Sequence, residues 1–337
     1  MTSKTHHVLL AIAAGFVCWT TSHLATAQPA GSWEAVETPN SPEPRFESGF
    51  VEVGGRMYMI GGLGNPPAYT SIYDPQTNTW NRGANVPELV HHFQAVPYAG
   101  KIYVAGAWTD IDRKQVGISH VWVYDPAADT WTQGPEIPEH RRRGGAGAIV
   151  YDDHLYLIAG NVGGHGPPAE AKTWLDRMDL ATGNWEELPD APHRRDHFQA
   201  AVVDGRIYAA AGRTSDVVGF IDSTVAVVDV YDIAKGSWSS LNDAPIPTER
   251  AGTPTAAVGK YIVVAGGEGF GKAWSETEAL DTETGTWHVL DHLNIQRHGT
   301  QMFYFDGALW IAGGSSGQGG TGTGRRLVDL EVFRFGE

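Results

Sequence analysis

Residues 57–80 read MYMIGGLGNPPAYTSIYDPQTNTW. A run of β-forming residues enters a glycine pair at 61–62, and a second run ends in Tyr73 and Asp74. Five turn-forming residues, PQTNT, then lead into Trp80. The stretch therefore predicts antiparallel strands, of which the last two are joined by a tight turn.

The same pattern recurs along the chain. An aspartate stands six residues before a tryptophan in five places: Asp74/Trp80, Asp125/Trp131, Asp179/Trp185, Asp232/Trp238 and Asp281/Trp287. Apolar β-forming residues run into glycine six times, at 57–62, 102–106, 155–160, 207–212, 261–267 and 309–314. A short turn and another apolar strand precede each of these runs, so every unit has four strands, which we name a to d. The sequence predicts an all-β protein of six units, with about 52 residues in each.

This order of strand, glycine pair, loop, Tyr-Asp-Pro, turn and tryptophan resembles the kelch repeat. The resemblance covers residues 32–337 and is fullest over 45–87, whereas the second glycine is Ala107, Asn161 and Arg213 in the next three copies. It implies a six-bladed β-propeller with blades at about 45–87, 88–138, 139–192, 193–247, 248–293 and 294–337. The sixth unit lacks a d strand, so residues 32–37, which carry Trp33, are predicted to close the last blade and remove exposed sheet edges.

Residues 1–27 are predicted to be a signal peptide. Lys4 precedes an apolar run of 12 residues at 8–19, and small residues at 25–27 offer a cleavage site. Because the run is too short to span a bilayer, we expect a secreted or periplasmic protein with no membrane insertion after cleavage. Residues 28–337 would then form one domain, which we expect to be monomeric. The formal net charge of −15 argues against a nucleic-acid partner.

Chain direction places the b–c loops and the d–a links on one face of a propeller. The b–c loops are long and rich in glycine, which favours a binding function on that face. The d–a links carry a repeated arginine, at Arg45, Arg143, Arg195, Arg250 and Arg297. Because guanidinium groups bind carboxylates through two hydrogen bonds, we expect an anionic ligand at the channel mouth, either an acidic carbohydrate or an acidic peptide. The alternative is that these arginines pair with backbone or acidic groups and only support the fold.

Alternate blades carry histidine and glutamine at the start of the innermost strand: His92, Gln94, His197, Gln199, His298 and Gln301. The three histidines are expected to approach a threefold arrangement that could hold Zn or Cu. Because five arginines nearby would repel a cation, we instead predict no metal and no cofactor, and hydrogen bonds from these side chains to the ligand. Three aromatic residues in the long loops are expected to stack on the ligand, namely Trp108, Phe270 and Trp274.

Kelch propellers outside the cell include enzymes of two kinds. Copper radical oxidases similar to galactose oxidase need a tyrosine cross-linked to a cysteine, and the only cysteine, Cys18, lies in the predicted signal peptide. That activity is therefore excluded. The resemblance to six-bladed N-acetylneuraminate epimerases implies a cofactor-free sugar epimerase or mutarotase as an alternative to binding alone. Glu268 and His197 are the candidate acid–base residues for it.

Overall fold

The computed structural model describes residues 29–64, 69–319 and 324–336. Six four-stranded antiparallel sheets are arranged as blades around a central channel, so the chain is the all-β six-bladed propeller predicted from its repeats. The predicted signal peptide lies outside the described residues. Within the described ranges, the helices are two 3-10 turns, Glu139–Arg141 and Phe220–Asp222, and neither could cross a membrane.

Blades one to three follow one another along the chain, with strands a to d in order. Blade one consists of Gly49–Val53, Arg56–Ile60, Tyr69–Asp74 and Thr79–Asn85. Blade two consists of Ala95–Tyr98, Lys101–Val104, His120–Asp125 and Thr130–Glu136. Blade three consists of Gly147–Tyr151, His154–Ile158, Leu175–Asp179 and Trp185–Leu188.

Blades four to six continue the same order. Blade four consists of Ala200–Val203, Arg206–Ala209, Val228–Asp232 and Ser237–Leu241. Blade five consists of Thr255–Val258, Tyr261–Ala265, Thr277–Asp281 and Thr286–Val289. Blade six consists of Met302–Phe305, Ala308–Ala312 and Leu330–Phe335, with Gly31–Val36 as its outer strand. The a strands of neighbouring blades contact one another, so they surround the channel.

The N-terminal strand closes the ring, as predicted from the strand count. Gly31–Val36 pairs antiparallel with Leu330–Phe335, and Trp33 lies opposite Phe333. The buried Trp33 side chain donates a hydrogen bond from Nε1 to Thr277 Oγ1 of blade five, at 3.1 Å. The first strand therefore completes the last sheet and also contacts the preceding blade.

The repeated aspartate and tryptophan have separate structural roles. The aspartate ends strand c, and its carboxylate accepts backbone N–H groups of the c–d turn, as Asp125 does from Ala127 and Ala128. The tryptophan lies opposite the residue before that aspartate, as Trp131 does opposite Tyr124. The two rings pack with their centres 5.0 Å apart. This pair joins the outer strands of the blade and fixes the register of the turn.

Candidate functional site

The d–a links and the b–c loops meet on one face of the propeller. In each blade a residue of the link forms a backbone bridge with the b–c loop that follows. In blade one Arg45–Phe46 pairs with Leu63–Gly64, and in the other blades the bridges are His91 to Trp108, Gly144 to Asn161, Asp196 to Arg213, Ala251 to Glu268 and His298 to Ser315. Links and loops thus build a common surface at the channel mouth.

A closed ring of six backbone hydrogen bonds lines this mouth. One residue of each blade donates its N–H to the carbonyl of the preceding member, in the order Glu47, His92, Gly145, His197, Gly252, Gly299 and back to Glu47. The five bonds other than the one from Glu47 are 2.6–3.0 Å long. We call these six residues the mouth ring. Beneath the ring the channel narrows to a cavity of about 30 Å³.

The mouth ring requires a left-handed backbone conformation. All six residues have φ between +54° and +65°. Glycine adopts this region at little cost, and it occupies three of the positions. Glu47, His92 and His197 occupy the other three, although a residue with a side chain is strained there. Strain of this kind gathers at functional sites, because a side chain is held where the fold alone would place glycine.

The predicted threefold set of His92, His197 and His298 is wrong by one residue. His298 precedes the mouth-ring member of its blade, Gly299, and therefore corresponds to His91 and Asp196. His92 and His197 do lie together, with ring centres 4.8 Å apart. The third side chain on the mouth ring is that of Glu47.

The five repeated arginines lie inside their own blades and are only 0–3% exposed. Each donates to the carbonyl of the residue 16 positions later, as Arg195 does to Ala211 O at 2.8 Å. Four of them also pair with a buried carboxylate of strand c: Arg143 with Asp176, Arg195 with Asp229, Arg250 with Glu278 and Arg297 with Glu331. Arg45 bonds Ser71 Oγ in the equivalent place.

These contacts correct the expectation that the arginines form an anion site at the mouth. Their guanidinium groups are paired with carbonyl, carboxylate or hydroxyl oxygens of the same blade and are closed off from solvent. They cross-link the d–a link to strands b and c, which is the scaffold alternative. Because four of the charges are matched locally, they also do not set up the positive field that was expected to repel a metal ion.

The three glutamines have a structural role as well. Each lies just before strand a of its blade and donates to the start of the same segment two blades away: Gln94 to Ala200 O, Gln199 to Thr300 O and Gln301 to Ala95 O, at 2.8–2.9 Å. Their amide oxygens accept backbone N–H groups in turn, as Gln301 Oε1 does from Ala95. All three are buried, so they brace the channel below the mouth ring.

The three aromatic residues expected to stack on a ligand lie in different places. Trp108 is fully buried and packs against the rings of His92, His165 and His197. Trp274 is covered by the Lys272 ammonium, 3.5 Å from its ring centre. Phe270 is 56% exposed on its loop. Trp108 therefore supports the histidines from behind, and neither loop aromatic lines the central pocket.

The main concavity at the mouth is a pocket of about 270 Å³ above the ring, which we call the central pocket. Its polar lining consists of Glu47, His92, Gln115, His165, Arg213, Glu268 and His298. Its apolar lining includes Phe46, Leu63, Phe220 and Ile221. The pocket thus contains His92, His298 and Glu268 from the predicted set, together with several residues that the sequence analysis did not select.

One side of the central pocket holds two carboxyl groups around His298. Its Nε2 atom is 3.8 Å from Glu47 Oε1 and 3.5 Å from Glu268 Oε2. Burial and the nearby Glu268 raise the pKa of Glu47 to about 8. Burial opposes ionisation of Glu268 too, but the positive potential of His298 and Arg213 outweighs it and lowers that pKa to about 2. Arg213 donates from Nη1 to Glu268 Oε1 at 2.5 Å.

The other side of the pocket holds a histidine cluster. One ring nitrogen from each of His92, His165 and His197 lies within 4.8 Å of the others. The Nε2 atoms of His165 and His197 are 3.0 Å apart. Burial is the main cause of lowered pKa values in all three rings, well below the usual range for His92 and His197 and to about 4 for His165. All three imidazoles are neutral at pH 7, the form that binds metals.

Sequence reasoning missed Glu47, His165 and Arg213 for different reasons. Glu47 had a usable signal, because it occupies a position where three other blades have glycine. His165 and Arg213 lie in b–c loops of irregular length, and no repeat position marks them. Only the folded chain brings these two loops over the mouth ring, next to His197 and Glu268.

Comparison with known protein families identifies the repeats as kelch repeats. Residues 44–87 and 90–138 each match the kelch motif, and residues 145–336 match the family described as the KLHDC2/KLHL20/DRC7 Kelch-repeats domain. The chain belongs to the kelch-repeat family. A solved kelch-type neighbour, reported as the structure of YjhT, superposes with a TM-score of 0.72 at 15% identity, over 87% of this chain and 95% of that one. That likeness shows the shared fold alone.

Relatives of this kelch propeller have diverse names. It is 30% identical to Kelch-like protein terF of Aspergillus terreus, over 86% of this chain and 66% of terF. It is 28% identical to N-(sulfonatooxy)prop-2-enimidothioate sulfolyase of Thlaspi arvense, over 76% of this chain and 83% of the sulfolyase. Human Kelch-like protein 23 is 25% identical over 79% of this chain, which spans only 44% of that protein. Only one of these three names states an activity, and a fold alone does not imply a function, so the function has to be inferred from the site.

Proposed function

We propose that the protein binds a small polar ligand with an anionic group in the central pocket, on the face that carries the b–c loops. The observation that carries this proposal is His298. Both of its ring nitrogens are buried and make no hydrogen bond of good geometry among the described residues, since the nearest carboxylate oxygens, of Glu268 and Glu47, lie 3.5 and 3.8 Å from Nε2. Unpaired buried polar atoms are costly and uncommon. A pocket ligand would provide the missing partners.

Arg213 is the proposed contact for the anionic group, in place of the five repeated arginines. It lines the central pocket, donates from Nε to Ser215 Oγ at 3.0 Å, and is held by Glu268 through Nη1. Its Nη2 atom has no hydrogen-bond acceptor within the described ranges. A carboxylate would complete the guanidinium's hydrogen bonds.

The size of the pocket favours an acidic sugar over an acidic peptide. Ligand pockets usually enclose roughly 300–1,000 Å³, and the central pocket, at about 270 Å³, lies just below that range. It therefore fits one sugar-sized molecule. Phe46 and Phe220 supply apolar surface for the ring of such a ligand.

Calorimetric titration with N-acetylneuraminate and galacturonate, and with galactose as the neutral comparison, tests this proposal. We expect the wild type to bind an acidic sugar. Arg213→Lys keeps a charge beside Glu268 but loses the planar fork, and should bind roughly tenfold more weakly. Arg206→Lys, on the opposite face, is the matched control and should bind like wild type. Equal affinity of Arg213→Lys and wild type, or preference for galactose, would contradict the proposal.

A second candidate is acid–base catalysis on such a sugar, which would make the protein an epimerase or mutarotase. It is favoured by two carboxyl groups in different environments beside one imidazole: Glu268 is paired with Arg213, and Glu47 is not. His197 is less suited to this role than predicted, because its Nδ1 is held by Asp196 and its Nε2 faces His165.

Mutarotation of N-acetylneuraminate, followed by NMR, separates catalysis from binding. An enzyme should exceed the spontaneous rate, and Glu268→Gln should lower the enzymatic rate by about 100-fold or more. Binding of the sugar with no acceleration would leave the binding proposal intact and contradict the catalytic one.

A further inference from the structure

The hydrogen bonds behind the histidine cluster determine which nitrogen of each ring keeps its lone pair. His197 Nδ1 lies 2.5 Å from Asp196 Oδ1, an oxygen that also accepts from Ser215 Oγ, so Nδ1 is the donor and carries the proton. His165 Nδ1 lies 2.7 Å from the amide oxygen of Gln115 and donates to it. In both neutral rings the lone pair is therefore on Nε2.

The tautomer of His92 is fixed by the neighbouring His91 ring. His91 Nε2 is 3.3 Å from Asp110 Oδ1 and donates to that carboxylate, which leaves His91 Nδ1 as an acceptor. His92 Nδ1 is 2.5 Å from that atom and must be the donor. The lone pair of His92 is then on Nε2 as well.

The lone pairs of His165 and His197 face each other. Two nitrogen lone pairs at 3.0 Å repel unless a cation lies between them. Bonds of about 2.1 Å from one metal ion can reach both Nε2 atoms at that separation. A cation held between the two atoms would remove this repulsion.

We propose that His92, His165 and His197 bind one divalent transition-metal ion through Nε2. Three imidazoles suit ions such as Zn²⁺, and three protein ligands leave a coordination position open to another molecule. This site goes beyond the ligand binding proposed above, and it replaces the expectation of a metal-free pocket.

The surroundings of His197 have the form of a second coordination shell. Asp196 is buried and accepts hydrogen bonds from Ser215 N at 2.9 Å, from Ser215 Oγ at 2.5 Å and from Asn161 Nδ2 at 3.3 Å. A carboxylate held in this way fixes the tautomer and orientation of the imidazole it accepts from. Trp108 packs against all three ligand rings and limits their rotation.

The charges around the cluster are compatible with a cation. Arg213 is paired with Glu268, and four of the five repeated arginines are paired within their blades. Glu47 Oε1 lies 3.7 Å from His92 Nε2, so its carboxyl group is close to the proposed ion. An ion here would also attract the anionic group of a pocket ligand.

Titration of chelator-treated protein with ZnCl₂ by calorimetry, and with CoCl₂ by visible absorption, tests the metal site without any organic ligand. We expect one equivalent to bind, with Co²⁺ bands typical of nitrogen coordination. His165→Gln, on a loop, should lower the affinity about 100-fold or more, and Asp196→Asn by about 10–100-fold. His154→Gln, on the opposite face, is the control and should bind like wild type.

Thermal melting of each variant shows whether it is folded, and His92→Gln provides a second ligand variant should His165→Gln fail to fold. The proposal is overturned if wild type binds no stoichiometric metal, or if folded His165→Gln or His92→Gln binds as well as wild type. Because the metal is measured alone, this result is independent of whether acidic sugars bind.

Discussion

The repeated arginines and the side chains of the mouth ring are all buried on the same face of the propeller but differ in backbone conformation and in what their side chains reach. Arg195 is enclosed by Ala211 O and Asp229, within its own blade. His197, two residues later, has a positive φ and a side chain that reaches a loop of another blade. In this chain the residue that recurs supports the fold, and the residue that departs from the repeat builds the pocket.

The largest effect should come from the arginine side of this comparison. Arg195→Ala leaves Asp229 buried without its guanidinium partner, which should lower the free energy of unfolding by about 3–5 kcal/mol. Chemical denaturation measures the loss. The fraction that remains folded should still bind one Zn²⁺, since Arg195 does not line the central pocket. Normal stability with weakened ligand or metal binding would show that Arg195 belongs to the binding site and not to the scaffold.

A substitution in the mouth ring should raise the free energy of unfolding, whereas the arginine substitution lowers it. Glu47→Gly removes a buried carboxyl group and relieves a positive φ, so we expect the free energy of unfolding to rise by about 1 kcal/mol. Acidic-sugar binding should weaken at the same time. Gly252→Ala is the reciprocal change, at φ +64°, and should cost about 1 kcal/mol. A stability loss for Glu47→Gly comparable to that of Arg195→Ala would remove the distinction between the two regions.

The smallest effect should come from Phe270, on the exposed b–c loop of blade five. Phe270→Ala truncates an exposed side chain outside the central pocket, so the free energy of unfolding should change by less than about 0.5 kcal/mol. Titration with the acidic sugars should give the wild-type affinity. A clear loss of affinity would show that this loop closes over the ligand, as its sequence position suggested.

The sequence was sufficient for the fold because the fold depends on local periodic signals. The Asp-to-Trp spacing reports a turn and a cross-strand pair within a few residues, and the missing sixth d strand required the pairing of Gly31–Val36. That the b–c loops and the d–a links share one face also followed from chain direction alone. The role of the arginines did not, because residue type cannot show whether Arg250 meets a ligand or Glu278.

The site depends on contacts between blades, which explains why less of it could be predicted. His165 meets His197 only because two irregular loops converge, and Asp196 appears in sequence as an unremarked neighbour of the repeated arginine. The one-residue error at His298 arose because His298 was grouped with His92 and His197 by residue type. The equivalent residue is set by backbone position, and in that blade it is Gly299. Comparison of the six positions that lie two residues after the five arginines, and after Val90 in their place in blade two, would have selected Glu47, His92 and His197 together.

The metal site at the mouth ring is tested most directly by an anomalous X-ray difference map, recorded at the zinc absorption edge from crystals of wild-type protein grown with ZnCl₂. We predict one dominant peak on the pocket side of the mouth ring, about 2.0–2.1 Å from Nε2 of His92, His165 and His197. A map with zinc peaks elsewhere and none among these three nitrogens would contradict it.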